Sequence, residues 1–255
     1  MIYAGTMKMD NYYQTMDWDF MLSQYPGKTD FDIKKYYSIL SEDWPDFLDK
    51  YIQVPSMQRL QGVGLLCGTD WTSLYKNRFY YSRLNHSIGV ALIVWHFTRD
   101  KIQTLAGLFH DIGKGVTTEF KKGNWHAYGH EIKGESITRR LLWDENVFDR
   151  EAICSLVRWH MEPPFLFKSK DYINKIIDIS KNIPSWYLLL LLKRCDIMGS
   201  HPSDMSTRDA ELLKLDDIST ITTKLGCYYK PLKSKLNFIF IGCSLFINIT
   251  IYIGM

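Results

Sequence analysis

The chain has 255 residues, 46% apolar and 23% charged, which supplies a sizeable packed core and excludes wholesale disorder. Lys and Arg number 31 against 28 Asp and Glu, and the resulting +3 carries no strong nucleic-acid or anionic-membrane signal. Five scattered cysteines (Cys67, Cys154, Cys195, Cys227, Cys243) contain no C-x-x-C pair, and MIYAGTMKMD has no basic segment followed by an apolar one. Neither a disulfide framework nor a thiolate zinc site nor a secretory signal is indicated, so a cytoplasmic enzyme is expected.

Residues 1–56 are aromatic and acidic (MDWDF, FDIKKYY, SEDWPDF) and punctuated by Pro45 and Pro55. They predict an irregular N-terminal extension, with one or two short helices, packed on the core. Residues 57–200 carry apolar positions at spacings of three and four with few alternating runs, the pattern of an all-α domain. Residues 201–235 are polar and read as a surface helix with loops. Leu236–Met255 is an uncharged hydrophobic tail of twenty residues. As a helix it would span about 30 Å, enough for a membrane anchor. Its Ile and Phe content, with Asn237, Ser244, Asn248 and Thr250 inside the run, favours a buried element or an atypical chain end.

Ionisable residues fall on the apolar stripes of the predicted helices. In YSRLNHSIGVALIVWHF, His86 shares a stripe with Val90, Ile93 and Phe97. In IQTLAGLFHDIGKG, Ile102, Leu105, Ala106 and Phe109 form the stripe, His110 and Asp111 close it, and Gly113 and Gly115 are expected to break the helix. His130 shares a face with Gly134, Ile137 and Leu141, while Glu131 turns away. Ile153, Leu156, Val157 and His160 line one face of the next helix, which Pro163–Pro164 end. Leu189, Leu192 and Asp196 place a carboxylate on the inner face of the most apolar helix.

A single inward histidine is ordinarily a satisfied core residue. Six inward ligand-type groups on five predicted helices are different, because desolvating the charged ones separately costs several kcal/mol each, roughly. One or two divalent cations would remove that cost. Imidazole and carboxylate without thiolate suit Mn, Fe, Co, Ni, Zn or Mg. Six ligands exceed what one ion with an open position needs, which points to two ions bridged by Asp111.

The series His86, HDIGK at 110–114, GHE at 129–131, His160 and Asp196 resembles the HD-domain metal-dependent phosphohydrolases over residues 57–200. MQRLQGVGLL with RFYYSRLNHSIGVA also looks like the run that opens nucleotide-hydrolysing members. The resemblance implies an HD-domain helical bundle with His86, His110, Asp111 and Asp196 as metal ligands, and His130 and His160 for a second ion. It implies hydrolysis of a nucleotide or related phosphoester, a monoester or a diester, by a metal-activated water. The GYP motif of cyclic-dinucleotide phosphodiesterases and the HDIGH form of dGTP hydrolases are both lacking. Such chemistry uses cations near the phosphate, and Lys114 and Arg83 are candidates, with surface charge as the plainer alternative. His96 reads as structural, and His201 as a cation at a helix C-terminus. His126, Trp125 and Tyr128 in the GNWHAYG loop are available for substrate contact. Two other classes stand beside hydrolysis. One is an HD-type oxygenase with two irons, the other a non-catalytic nucleotide-binding module.

Overall fold

The computed structural model describes residues 44–64, 82–199 and 205–228. The expectations for most of the N-terminal extension, His201, Cys67, Cys243 and the tail Leu236–Met255 lie outside these residues. The described residues are helical apart from one small hairpin, as an all-α domain requires. The elements are α1 (Phe47–Ile52), α2 (Pro55–Gln58) followed by a 3₁₀ turn (Arg59–Gly62), α3 (Arg83–Thr98), α4 (Lys101–Phe109), α5 (Lys114–Thr117), β1 (Glu119–Lys121), β2 (Asn124–His126), α6 (His130–Leu141) and α7 (Val147–Trp159). A 3₁₀ helix (Pro163–Lys168), α8 (Tyr172–Ser180), α9 (Trp186–Met198) and α10 (Met205–Lys224) complete them.

Helix starts follow their capping residues. Ser82, Asp100, Asn146 and Ser185 each accept a hydrogen bond from a first-turn backbone N–H of α3, α4, α7 and α9 respectively. The α3–α4 connection is two residues long. Arg99 closes α3 in the left-handed conformation (φ 52°), and Asp100 opens α4. So short a link forces the two helices to lie side by side.

The core is continuous. Val90, Ile93, Leu105, Phe109, Leu156, Val157 and Leu189 are at most 1% exposed, as their stripes predict. Phe97 departs from its stripe: it is 38% exposed, because the last turn of α3 runs past the edge of the core. Ahead of α3, Leu48, Met57 and Leu60 are fully buried, and the Tyr51 ring meets Phe109 edge-on at 5.5 Å. The Tyr51 hydroxyl donates to Glu145 Oε1 at 2.7 Å, which ties α1 to the α6–α7 turn. Helix α10 is polar in composition, yet Leu212, Leu215, Ile218 and Thr222 form a buried face. Among the described residues no helix is long and apolar enough to cross a membrane.

Two local expectations need correction. Gly115 does not break a helix; it lies inside the short helix α5, and α4 stops earlier, at Phe109. The GNWHAYG stretch is not simply a loop. Asn124–His126 pairs antiparallel with Glu119–Lys121 across the turn Lys122–Gly123. Both turn residues have positive φ (52° and 80°), as a two-residue hairpin turn requires.

Candidate metal centre

The sequence places the six expected ligands on five separate stretches, and the fold brings all of them to one point. His86 comes from the first turn of α3, His110 and Asp111 from just beyond α4, His130 from the first residue of α6, His160 from the end of α7, and Asp196 from α9. His86, His110, Asp111 and His160 are at most 1% exposed, and His130 is 6% exposed.

The imidazoles are aimed by backbone carbonyls. Nδ1 donates to the carbonyl three residues earlier in His110 (Gly107 O, 2.7 Å), His130 (Ala127 O, 2.8 Å) and His160 (Val157 O, 2.7 Å). His86 is different: its Nδ1 donates to Gly199 O, at the far end of α9, at 3.1 Å. A carbonyl oxygen only accepts, so every Nδ1 carries its hydrogen and each Nε2 is turned towards the shared centre.

Ligand atoms of His86, His110 and Asp111 lie within 4.8 Å of one another, and so do those of Asp111, His130 and His160. Asp111 belongs to both groups. Its Oδ1 faces His130 Nε2 at 3.4 Å and His160 Nε2 at 3.6 Å. All three of these atoms are buried and lack a hydrogen-bond partner. Asp196 Oδ1 faces His86 Nε2 at 3.0 Å and His110 Nε2 at 3.6 Å, on the other side.

Asp111 Oδ2 receives Arg83 Nη1 at 2.7 Å and Lys114 Nζ at 2.9 Å. Both cations are therefore at the centre rather than on the surface, and both meet the same carboxylate oxygen. Burial alone would raise the Asp111 pKa, but Lys114, His110 and Arg83 hold it well below the usual carboxylate range. Asp196 is held low in the same way against its burial, by Lys193 first and then His110 and His86. Burial, opposed by Asp111 and aided by Lys114 and His160, pushes His130 down to about 3. Burial also lowers His86 and His160, against Asp196 and Asp111 respectively. His110 is the exception. Burial works against its proton, but Asp111 and Asp196 outweigh burial and hold its pKa at about 9.

Gly113 determines how closely these parts meet. A Cβ there would lie 2.0 Å from His130 O and 2.7 Å from Gly134 N. Only glycine lets the turn after Asp111 rest directly on the first turn of α6.

Sequence reasoning missed Lys193. Its Nζ donates to Asp196 Oδ2 at 2.6 Å, with its side chain 12% exposed. The available signal was a lysine one turn before an inward aspartate on an otherwise apolar helix. The aromatic residues of the hairpin do not join the cluster's contacts. His126 stacks on Tyr128 at 4.8 Å, Trp125 meets Phe120 edge-on at 5.3 Å, and Tyr128 is 75% exposed. His96 is exposed and lies edge-on against Phe97.

The donor set fits one or two divalent ions. Four Nε2 atoms and two carboxylates converge without a thiolate, and the three orphaned buried atoms of the second triad are the coordination a cation would satisfy. Residues 83–182 match the family model described as HD domain. No curated protein and no solved structure gives a match.

Proposed function

With residues 83–182 belonging to the HD-domain superfamily, we propose that the chain is a metal-dependent phosphohydrolase acting on a nucleotide or a related phosphoester. The observation that carries this reading is the double triad: two sets of ligand atoms share Asp111, and one set consists of orphaned buried atoms. His86, His110, Asp111 and Asp196 would hold one divalent ion; Asp111, His130 and His160 would hold a second. Such ions supply Lewis acidity towards a phosphoryl oxygen and lower the pKa of water towards neutrality.

The protein's own groups have separable tasks. The backbone carbonyls of Gly107, Ala127 and Val157 fix three of the imidazoles, so little reorganisation is left for the reaction. Asp111 stays ionised between the triads because Arg83 and Lys114 sit on one of its oxygens. The same two cations stand beside the centre on Asp111 Oδ2, and their remaining N–H groups would be donors to the oxygens on which a phosphoester builds charge. Packing that leaves the ligand side chains almost fully buried limits bulk water at the centre and strengthens each of these interactions.

The test is a panel of phosphomonoesters and phosphodiesters, nucleotides included, with purified protein and Mn, Co, Ni, Mg, Zn or Fe, alongside metal analysis. Metal-dependent hydrolysis of a monoester (phosphate released) or of a diester (monoester and alcohol released) that vanishes in Asp111→Asn supports the reading. Iron-dependent oxygen consumption without hydrolysis of any phosphoester would instead make the site an oxygenase centre. Nucleotide binding with no turnover under any metal would leave a binding module.

A further inference from the structure

Beside the centre lies a cavity of about 300 Å³ whose walls come from the segment after α7, the 3₁₀ helix Pro163–Lys168, α9 and α10. That volume is at the lower end of small-molecule sites, roughly 300–1,000 Å³. Two of its lining residues join it to the candidate ligands. Met161 directly follows His160, and Lys193 holds Asp196 Oδ2 at 2.6 Å. A molecule in the cavity therefore touches residues that abut both halves of the centre.

The lining is chemically divided. Met161 and Phe165 present apolar surface. Lys168 and Lys214 present two positive charges against one negative charge, Glu211, while the charge of Lys193 is paired with Asp196. Lys168 and Lys214 have no carboxylate within ion-pair distance among the described residues; Lys168 Nζ rests 4.5 Å over the Phe165 ring instead. Two unneutralised lysines on the wall of a concave, partly apolar site attract an anion, and an aromatic face favours a flat ring beside it.

We propose that this cavity binds the non-scissile part of a nucleotide substrate, with the base against Met161 and Phe165 and a further phosphate on Lys168 and Lys214. This rests on the phosphohydrolase reading of the adjoining centre. It narrows that reading to substrates with at least one phosphate besides the one attacked. Lys193 marks the boundary, since it faces the cavity while its ammonium group remains on Asp196.

The experiment measures equilibrium binding to the full-length, manganese-loaded protein by calorimetry, using adenosine and hydrolysis-resistant stand-ins: the phosphonate analogue of AMP, α,β-methylene-ADP for ADP and methylenediphosphonate for pyrophosphate. The ADP analogue should bind more tightly than those of AMP or pyrophosphate, and adenosine most weakly. Lys168→Met with Lys214→Met should weaken the ADP analogue about tenfold or more, the scale of losing a charge-assisted hydrogen bond. Glu211→Gln should tighten it severalfold. All three side chains lie at the outer wall, and circular dichroism checks that each variant folds. Equal affinity for the ADP analogue in wild type and both variants overturns the proposal. So does hydrolysis of a nitrophenyl phosphoester by a protein that does not bind the ADP analogue, and that result leaves the phosphohydrolase reading standing. Binding of the ADP analogue that follows the substitutions, in a protein that hydrolyses no phosphoester with any metal, upholds the cavity and overturns the phosphohydrolase reading.

Discussion

The α-carbon of Gly113 faces the carbonyl of His130 so closely that a methyl group would stand 2.0 Å from the oxygen. Gly113→Ala should therefore push the Asp111 turn away from α6 and cost about 2–4 kcal/mol, in the range of severe overpacking. Urea denaturation measures the cost. Gly62→Ala, where nothing lies within 4 Å, is the control and should stay within about 0.5 kcal/mol. A Gly113→Ala variant as stable as the control would show that the close contact is not needed.

Asp111 offsets two buried cations as well as serving both triads. Asp111→Ala should release bound metal and also destabilise the fold by about 3–5 kcal/mol, because Arg83 and Lys114 are left facing each other. Adding Lys114→Met should recover part of the stability without restoring metal. Metal analysis of the purified variants, with thermal unfolding, separates the two effects. Full metal occupancy in Asp111→Ala would remove it from the ligand set.

The two triads predict two ions. Wild-type protein should saturate near two manganese ions per chain, and His130→Ala near one, with the ion at His86, His110, Asp111 and Asp196 retained. Atomic absorption after dialysis gives the ratio. A ratio near one in wild type, unchanged by His130→Ala, would assign His130 and His160 to substrate contact or to the core.

The pH dependence follows from His110. Its pKa of about 9 means that at pH 7 the ring is protonated, and a cation has to displace that proton. Metal binding at pH 7 should release about one proton, seen as a binding enthalpy that varies with the ionisation enthalpy of the buffer. Apparent affinity should rise as pH goes from 6.5 to 8.5. For the chelated protein the sign reverses. A folded pKa above the unfolded 6.5 stabilises fully below pH 6.5, and that contribution is lost as pH rises through about 9. An affinity flat across this range would place the proton elsewhere.

Arg99 holds a left-handed conformation (φ 52°) at the end of α3, with its guanidinium 5.6 Å from the Trp95 ring. Arg99→Gly should relieve the backbone and give up the ring contact, for a net gain of roughly 0.5–1 kcal/mol. The urea midpoint measures it; a lower midpoint would show that the Trp95 contact outweighs the strain.

Much of this site was legible because its ligands end or begin apolar stripes. Ile102, Leu105, Ala106 and Phe109 predict both the buried face of α4 and the inward position of His110, and Leu189 and Leu192 do the same for Asp196. Helical period cannot reveal what a side chain bonds once inside. Arg83 and Lys114 were visible as cations near the motif, but nothing in their spacing says that they meet one oxygen of Asp111. Lys193 was hidden for a related reason: a lysine beside a run of leucines reads as the polar flank of a helix until its aspartate partner is placed. The hairpin was missed because three-residue strands are too short to show alternation. Its signal was the Lys122–Gly123 turn. The buried face of α10 was obscured by a polar composition around only a few apolar positions.

The anchoring of His86 also makes one ring of the centre depend on the far end of the domain. The rings of His110, His130 and His160 take their direction from carbonyls within their own turns, whereas His86 takes it from Gly199, 113 residues away. During synthesis the chain has made Asp111, His130 and His160 36 residues before Asp196. A chain that still lacks α9 therefore contains the carbonyls that orient His110, His130 and His160 but not the one that orients His86. Loosening α9 from the domain would thus free the His86 ring while leaving the turns that hold His110, His130 and His160 their own carbonyls.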